Sequence, residues 1–67
     1  MIWLNGEQAE GHQGTTVSAL LDALGVEPQR RGIAVALDAE VVPRAEWATT
    51  VLADGARVEV LTAMQGG

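Results

Sequence analysis

Apolar and polar residues alternate in short runs along this 67-residue chain, which predicts several strands around one helix. Residues 1–5 form a run of strand length, and the following Asn5-Gly6 tolerates the positive φ angles of a tight hairpin turn. A second short strand is expected over residues 8–12. The start of the chain is therefore predicted to be a β-hairpin.

A helix is predicted directly after this hairpin. Gly14 ends the strand, and Thr15-Thr16 supplies a hydroxyl group for the helix N-cap, while Gly25 suits the left-handed position just past the helix end. Four apolar residues recur at the i, i+3, i+4, i+7 spacing of one helical face: Val17, Leu20, Leu21 and Leu24. Because a helix this short is stable only when it packs on something, we expect this stripe to lie in the core.

The next apolar run, at residues 33–37, has the length of a strand. Its larger side chains alternate on one face and are expected to point inward: Ile33, Val35 and Leu37. A turn at residues 38–40 and a short strand at residues 41–42 are predicted to follow. This part of the chain is therefore expected to form a second hairpin.

Pro43 ends that strand and begins a single helical turn that runs through Trp47. We expect Trp47 to be a packing anchor below this turn, because tryptophan buries a large apolar area. Arg44 is expected to be a surface residue. A turn at Asp54-Gly55 then precedes the last predicted strand, at residues 56–61.

The order β-β-α-β-β-β, with one helix crossing one sheet, is that of an α+β protein with the β-grasp, or ubiquitin-like, layout. We expect a monomer with a mixed sheet of four to five strands, in which the first and last strands are neighbours. Residues 1–61 would form this domain, and residues 62–67 a flexible C-terminal tail. The predicted core consists of one face of each element: Ile2, Leu4, Val17, Leu20, Leu21, Val35, Val58 and Val60.

Composition argues against several classes of function. A domain of this size has little room for a deep pocket, so an enzyme is not expected. The chain has no cysteine and one histidine, His12, so a metal site is not expected either. The net charge of -5 disfavours binding to nucleic acid or to anionic membranes and favours a partner with a basic surface. We predict a cytoplasmic protein, because the sequence shows neither a secretory signal nor a membrane span.

The chain ends in Gly66-Gly67, the thinnest and most mobile terminus that a peptide can have. Such an end can enter a narrow channel and carry its carboxylate into another protein's active site. Glycine is common enough that chance can also produce this ending. All four basic residues are arginines, so an activated terminus would find neither a lysine amine nor a thiol on a sister molecule.

Residues 36–47 contain an apolar strand, a turn, the tripeptide Val42-Pro43-Arg44 and a tryptophan three residues later. This segment resembles the centre of the ThiS family, the sulfur carriers of thiamine biosynthesis. Other motifs of that family follow the same order along the chain: Asn5-Gly6, Thr16-Val17, Leu20-Leu21, Asp54-Gly55 and Gly66-Gly67. The resemblance therefore covers nearly the whole sequence and implies the same β-grasp fold.

The resemblance also implies a function. In that family a ThiF-like, ubiquitin-activating-type enzyme uses ATP to adenylate the terminal glycine, here Gly67, at the end of a tail that includes Gln65 and Gly66. Sulfur from a sulfur-donating enzyme then replaces AMP, and the thiocarboxylate serves a ThiG-like thiazole synthase. No cofactor is bound permanently. Two rivals remain open: a small subunit of the molybdopterin synthase type, and a ubiquitin-like modifier joined to lysines of its targets.

A docking surface is predicted on the outer face of the sheet. By alternation with Ile2 and Leu4, Trp3 points away from the core, and in a β-grasp sheet it lies near Glu59 and Leu61 of the last strand. A large exposed aromatic residue favours a docking patch, although it can also simply fill surface. We therefore predict that Trp3, Glu59 and Leu61 contact the partner enzymes.

Overall fold

The computed structural model describes residues 1–27 and 31–62, and these form one mixed sheet, one α-helix and one short 3-10 helix. The elements are β1 (Ile2–Leu4), β2 (Glu7–Ala9), α1 (Val17–Ala23), β3 (Ile33–Leu37), β4 (Glu40–Val41), a 3-10 helix (Arg44–Glu46) and β5 (Arg57–Thr62). The sheet order is β2-β1-β5-β3-β4. Among the strands of the described residues, only β1 and β5 pair in parallel. The predicted α+β β-grasp fold, with its first and last strands adjacent, is confirmed.

The first hairpin turns at Asn5 and Gly6, whose φ angles are 50° and 85°, as the sequence predicts. The second strand, however, ends at Ala9, so the prediction that it runs through residues 8–12 is wrong. The cause is the length of its neighbour. Ala9 pairs with Ile2, the first residue of β1, and beyond it β2 has no partner for its backbone.

Helix α1 begins and ends as predicted. The Thr16 hydroxyl accepts a hydrogen bond of 3.1 Å from the Ala19 N–H, and Gly25 follows the helix with a φ of 77°. The prediction that Leu24 is a core residue is wrong. Leu24 is the C-cap residue and its side chain is 42% exposed, because α1 ends at Ala23 and this position lies at the very end of the helix.

The second hairpin turns tightly at two residues, Asp38 and Ala39, both with positive φ. Glu40 is therefore already paired in β4, and the strand predicted at residues 41–42 is displaced by one position. Val42 instead turns inward and is buried, while its N–H donates a 2.8 Å hydrogen bond to the Val35 carbonyl. Pro43 then precedes the predicted single helical turn.

The core lies between α1 and the inner face of the sheet. Six of the eight predicted core residues are fully buried: Ile2, Val17, Leu20, Leu21, Val35 and Val58. The other two, Leu4 and Val60, pack against this cluster but are only partly buried. Trp47 is a packing anchor, as predicted: it is 4% exposed and its indole N–H donates a 2.9 Å hydrogen bond to the Val42 carbonyl.

Leu52 is a core residue that the sequence pattern does not reveal. It lies outside the named strands, in a segment that pairs with the residues preceding α1. Its N–H donates to the Thr15 carbonyl at 2.7 Å and its carbonyl accepts from the Gly14 N–H at 2.7 Å. These bonds hold the start of the helix against the segment that leads into β5.

Strand β5 begins one residue later than predicted and includes Thr62. In the turn before this strand, the Met1 ammonium group donates a hydrogen bond to the Asp54 carboxylate, which lowers the pKa of that carboxyl. The tail residues Gln65, Gly66 and Gly67 lie outside the described residues, so the predicted boundary of the tail stays a prediction. No helix in the described part of the chain is long and apolar enough to cross a membrane.

Candidate functional site

The candidate site is the outer face of the sheet, opposite α1. Trp3 pairs with Arg57 across the parallel β1–β5 ladder, and residues that pair directly across a ladder share a face of the sheet. Because side chains alternate along a strand, Arg57, Glu59 and Leu61 of β5 all lie on this face. The central strand of the sheet thus presents three outward residues beside Trp3.

An open groove of about 590 Å³ lies on this face. Its lining comprises Trp3, Asn5, Gly6, Arg57, Val58, Glu59 and Leu61. The three predicted docking residues therefore line one surface: Trp3 is half-buried, Leu61 is 61% exposed and Glu59 is exposed. The topology brings these three residues together, as predicted from the sequence. Their role in docking stays a prediction.

The apolar part of the outer face extends beyond the predicted patch. Ala34 pairs with Leu61, Ala36 pairs with Glu59, and Val41 pairs with Ala36 on its other side. Val41 is 76% exposed, the largest exposed fraction among the large apolar residues described. An apolar band thus runs from Leu61 across β3 to the edge strand, and contiguous exposed apolar residues are typical of a surface that contacts another protein.

The charges in the groove nearly balance, because Arg57 and Glu59 lie two residues apart on the same face of β5. The acidic excess of the chain therefore does not come from the groove itself. Arg57 is not apparent as a site residue from the sequence, since its position opposite Trp3 depends on the register of the β1–β5 ladder. That register is a long-range property that a local pattern does not contain.

Two turn residues hold the ends of β5 through their side chains. The Asp38 carboxylate accepts a 3.0 Å hydrogen bond from the Arg57 N–H at the start of the strand. The Asn5 side chain bonds both backbone groups of Val60, near the other end of the strand. The strand that carries the groove residues is therefore fixed at both ends by residues whose own φ angles are positive, 50° in each case.

Arg44 lies on the surface, as predicted, with its guanidinium 4.5 Å from the centre of the Trp47 ring. This is the distance of a cation–π contact, which covers one side of the buried indole. Arg44 is thus part of the packing around Trp47. Among the described residues, no group of three or more histidine, cysteine or acidic side chains is placed to hold a metal ion.

One helix packed on a mixed five-stranded sheet defines a protein of the ubiquitin-like β-grasp class. The model of the ThiS family matches residues 2–67. The chain is 42% identical to the sulfur carrier protein ThiS of Thermus thermophilus over 67 residues, which cover the whole of both proteins. The chain therefore belongs to the ThiS family.

Two further comparisons agree with this assignment. The crystal structure of a thiamine biosynthesis protein (ThiS) from Geobacter metallireducens superposes with a TM-score of 0.76 at 35% identity, covering 98% of this chain and 97% of that one. The chain is also 34% identical to part of a thiazole synthase from Paramagnetospirillum magneticum. That match covers 96% of this chain but only 19% of the larger protein.

Proposed function

We propose that this protein is a sulfur carrier in the formation of the thiazole ring of thiamine, with Gly67 as the carrier residue. The full-length match to the sulfur carrier protein ThiS carries this proposal. The fold is consistent with it: β5 lines the groove on the outer face and leads toward the C-terminus, five residues beyond Thr62. A fully extended segment of five residues spans at most about 17 Å, so the partner's active site must lie within that distance of Thr62.

The chemistry follows from the weak reactivity of a carboxylate. The α-carboxyl group is ionised at neutral pH and is a poor electrophile, so it must first be activated. In the proposed cycle a ThiF-like enzyme transfers AMP from ATP to the Gly67 carboxylate and releases pyrophosphate. A sulfur-donating enzyme then supplies sulfur at the oxidation level of sulfide; its attack on the acyl carbon forms the C–S bond as the C–O bond to AMP breaks. The product is a thiocarboxylate, which is anionic and a good nucleophile. Because activation consumes ATP, we place the proposed cycle in the cytoplasm.

The proposed acceptor is a thiazole synthase. The support is the thiazole synthase of Paramagnetospirillum magneticum, one part of which is similar to 96% of this chain. Two proteins whose counterparts occur in one polypeptide commonly act together. In this cycle the protein is a carrier and a substrate of its partners, and its fold serves as the surface by which they recognise it.

A truncated chain tests the role of the terminus. Removal of Gly66 and Gly67 deletes the proposed carrier group but no core residue. We expect an unchanged melting temperature and complete loss of ATP–pyrophosphate exchange by the ThiF-like enzyme. The full-length chain is the control. Exchange with the truncated chain at the rate of the full-length chain would contradict the proposal.

A further inference from the structure

Asn5 directly follows the last residue of β1, at a point where the neighbouring strand β5 continues. The Trp3 N–H donates to the Ala56 carbonyl at 2.8 Å, and the Asn5 N–H donates to the Val58 carbonyl at 2.9 Å. The first strand and the residue that follows it thus bond to every second residue from Ala56 onward, and Val60 is the next in this series. The chain turns away at Asn5, however, so the backbone of β1 does not reach Val60.

The Asn5 side chain takes the place of the missing strand residue. Its Oδ1 accepts a 2.8 Å hydrogen bond from the Val60 N–H, and its Nδ2 donates a 3.3 Å hydrogen bond to the Val60 carbonyl. A primary amide carries one donor and one acceptor side by side, as a peptide group does. Asn5 therefore pairs with β5 as a backbone residue would.

We infer that Asn5 is a positioning residue for the carrier function. The outgoing end of β5 pairs with β3 on one side, and the Asn5 amide bonds its other side, so that Leu61 is held in the groove and the tail starts from a fixed point. This inference rests on the proposed function. Val60 directly precedes Leu61, and within residues 1–27 and 31–62 the β1–β5 pairing ends at Val58, so the Asn5 amide extends it by one residue.

Loss of the Asn5 amide is expected to change the KM of the ThiF-like enzyme for this protein, and not its kcat. Without the Asn5 amide, the end of β5 is held by β3 alone, and docking must restrict its remaining motion at a cost in conformational entropy. Once the partner is bound, the strand is ordered by the complex and the carboxylate reaches the same site. A loss of this kind weakens substrate binding and transition-state binding equally, which raises KM and leaves kcat unchanged.

The variant Asn5→Gly tests this inference, because glycine keeps the positive φ of the turn and removes the side chain that carries the amide. Asp38→Gly is the matched control. Asp38 is also an exposed turn residue with a φ of 50°, and its side chain also bonds a β5 N–H, but at the opposite end of the strand, at Arg57. Both variants therefore lose a comparable contact and gain the same backbone freedom.

Two quantities are measured on the full chain: amide hydrogen exchange, and the steady-state kinetics of ATP–pyrophosphate exchange by the ThiF-like enzyme. For Asn5→Gly we expect exchange of the Val60 amide to accelerate about tenfold and KM to rise about fivefold with kcat unchanged. For Asp38→Gly we expect faster exchange at Arg57 and a KM within about twofold of the unmodified chain.

Three results would overturn the inference: an unchanged KM in Asn5→Gly, an equal rise in both variants, or a rise in KM without faster exchange at Val60. The second result would indicate general destabilisation, and the third a direct contact between Asn5 and the enzyme. Failure of the unmodified chain to support ATP–pyrophosphate exchange would instead contradict the proposed function, and the inference with it.

Discussion

At the scale of single residues, the turns of this protein depend on backbone angles that most side chains avoid. Ala39 has a φ of 71°, which brings the Cβ of an L-residue too close to the next carbonyl oxygen. Its neighbour Asp38 tolerates such angles better, because a short polar side chain can form local hydrogen bonds. Ala39 is therefore a position where the native residue destabilises the fold.

Replacement of this alanine by glycine is predicted to stabilise the protein. Ala39→Gly removes the left-handed strain of about 1–2 kcal/mol, and this gain exceeds the entropic cost of a glycine, so we expect a net increase of about 0.5–1 kcal/mol in the free energy of unfolding. Ala34→Gly in β3, where no positive φ is present, is the matched control and should lower stability by about 0.5–1 kcal/mol. Urea denaturation measures both, and a loss of stability in Ala39→Gly would contradict the prediction.

Residue-scale features were partly predictable from the sequence. The Asn5-Gly6 turn, the Thr16 cap and the burial of Trp47 follow from local chemistry, and all three are confirmed. The burial of Leu52 was not predictable, because this residue belongs to no periodic run. It is buried by pairing with a segment 37 positions earlier, through its bond to Thr15.

At the scale of elements, the helix shows how length limits a periodic pattern. Four residues share the apolar spacing, but α1 ends at Ala23, so the fourth, Leu24, lies at its cap. The same limit applies to β2, which stops where its partner strand begins. Patterns of spacing thus identified every element, and the ends of the elements were set by neighbours that only the assembled sheet defines.

The helix face provides a direct test of this packing. Leu21 is fully buried, so Leu21→Ala should lower the free energy of unfolding by about 2–5 kcal/mol. Leu24→Ala makes the same chemical change at a residue that is 42% exposed, and it should cost about 1 kcal/mol or less. Chemical denaturation of both variants measures the difference. An equal loss of stability in the two variants would show that Leu21 does not face the core more closely than Leu24 does.

At the scale of the whole molecule, the mixed sheet joins distant parts of the chain into one outer face. Trp3 and Leu61 come from opposite ends of the sequence and line the same groove because β1 and β5 are adjacent. From the sequence, the proximity of these two residues could be predicted only by way of the β-grasp topology. Arg57, Ala34 and Val41 were missed, since their place on the face depends on strand register.

The outer face is predicted to be the surface on which the partner enzymes dock. Trp3→Ala should weaken binding of the ThiF-like enzyme by about 1 kcal/mol or more, because an aromatic residue at the centre of an interface contributes strongly to affinity. Val51→Ala is the control: Val51 is 58% exposed but pairs with Thr16, away from the groove. Calorimetric titration measures both affinities. An unchanged affinity in Trp3→Ala, or an equal loss in Val51→Ala, would show that docking occurs elsewhere.

The central claim is that Gly67 carries sulfur, and intact-mass analysis tests it most directly. The chain is incubated with the ThiF-like enzyme, ATP and a sulfur source, and then with thiazole synthase and its other substrates. The account predicts a mass increase equal to the exchange of one oxygen for one sulfur at Gly67, followed by return to the original mass as thiazole forms. A chain that keeps its original mass throughout, or that is recovered in amide linkage to lysines of other proteins, would contradict the account.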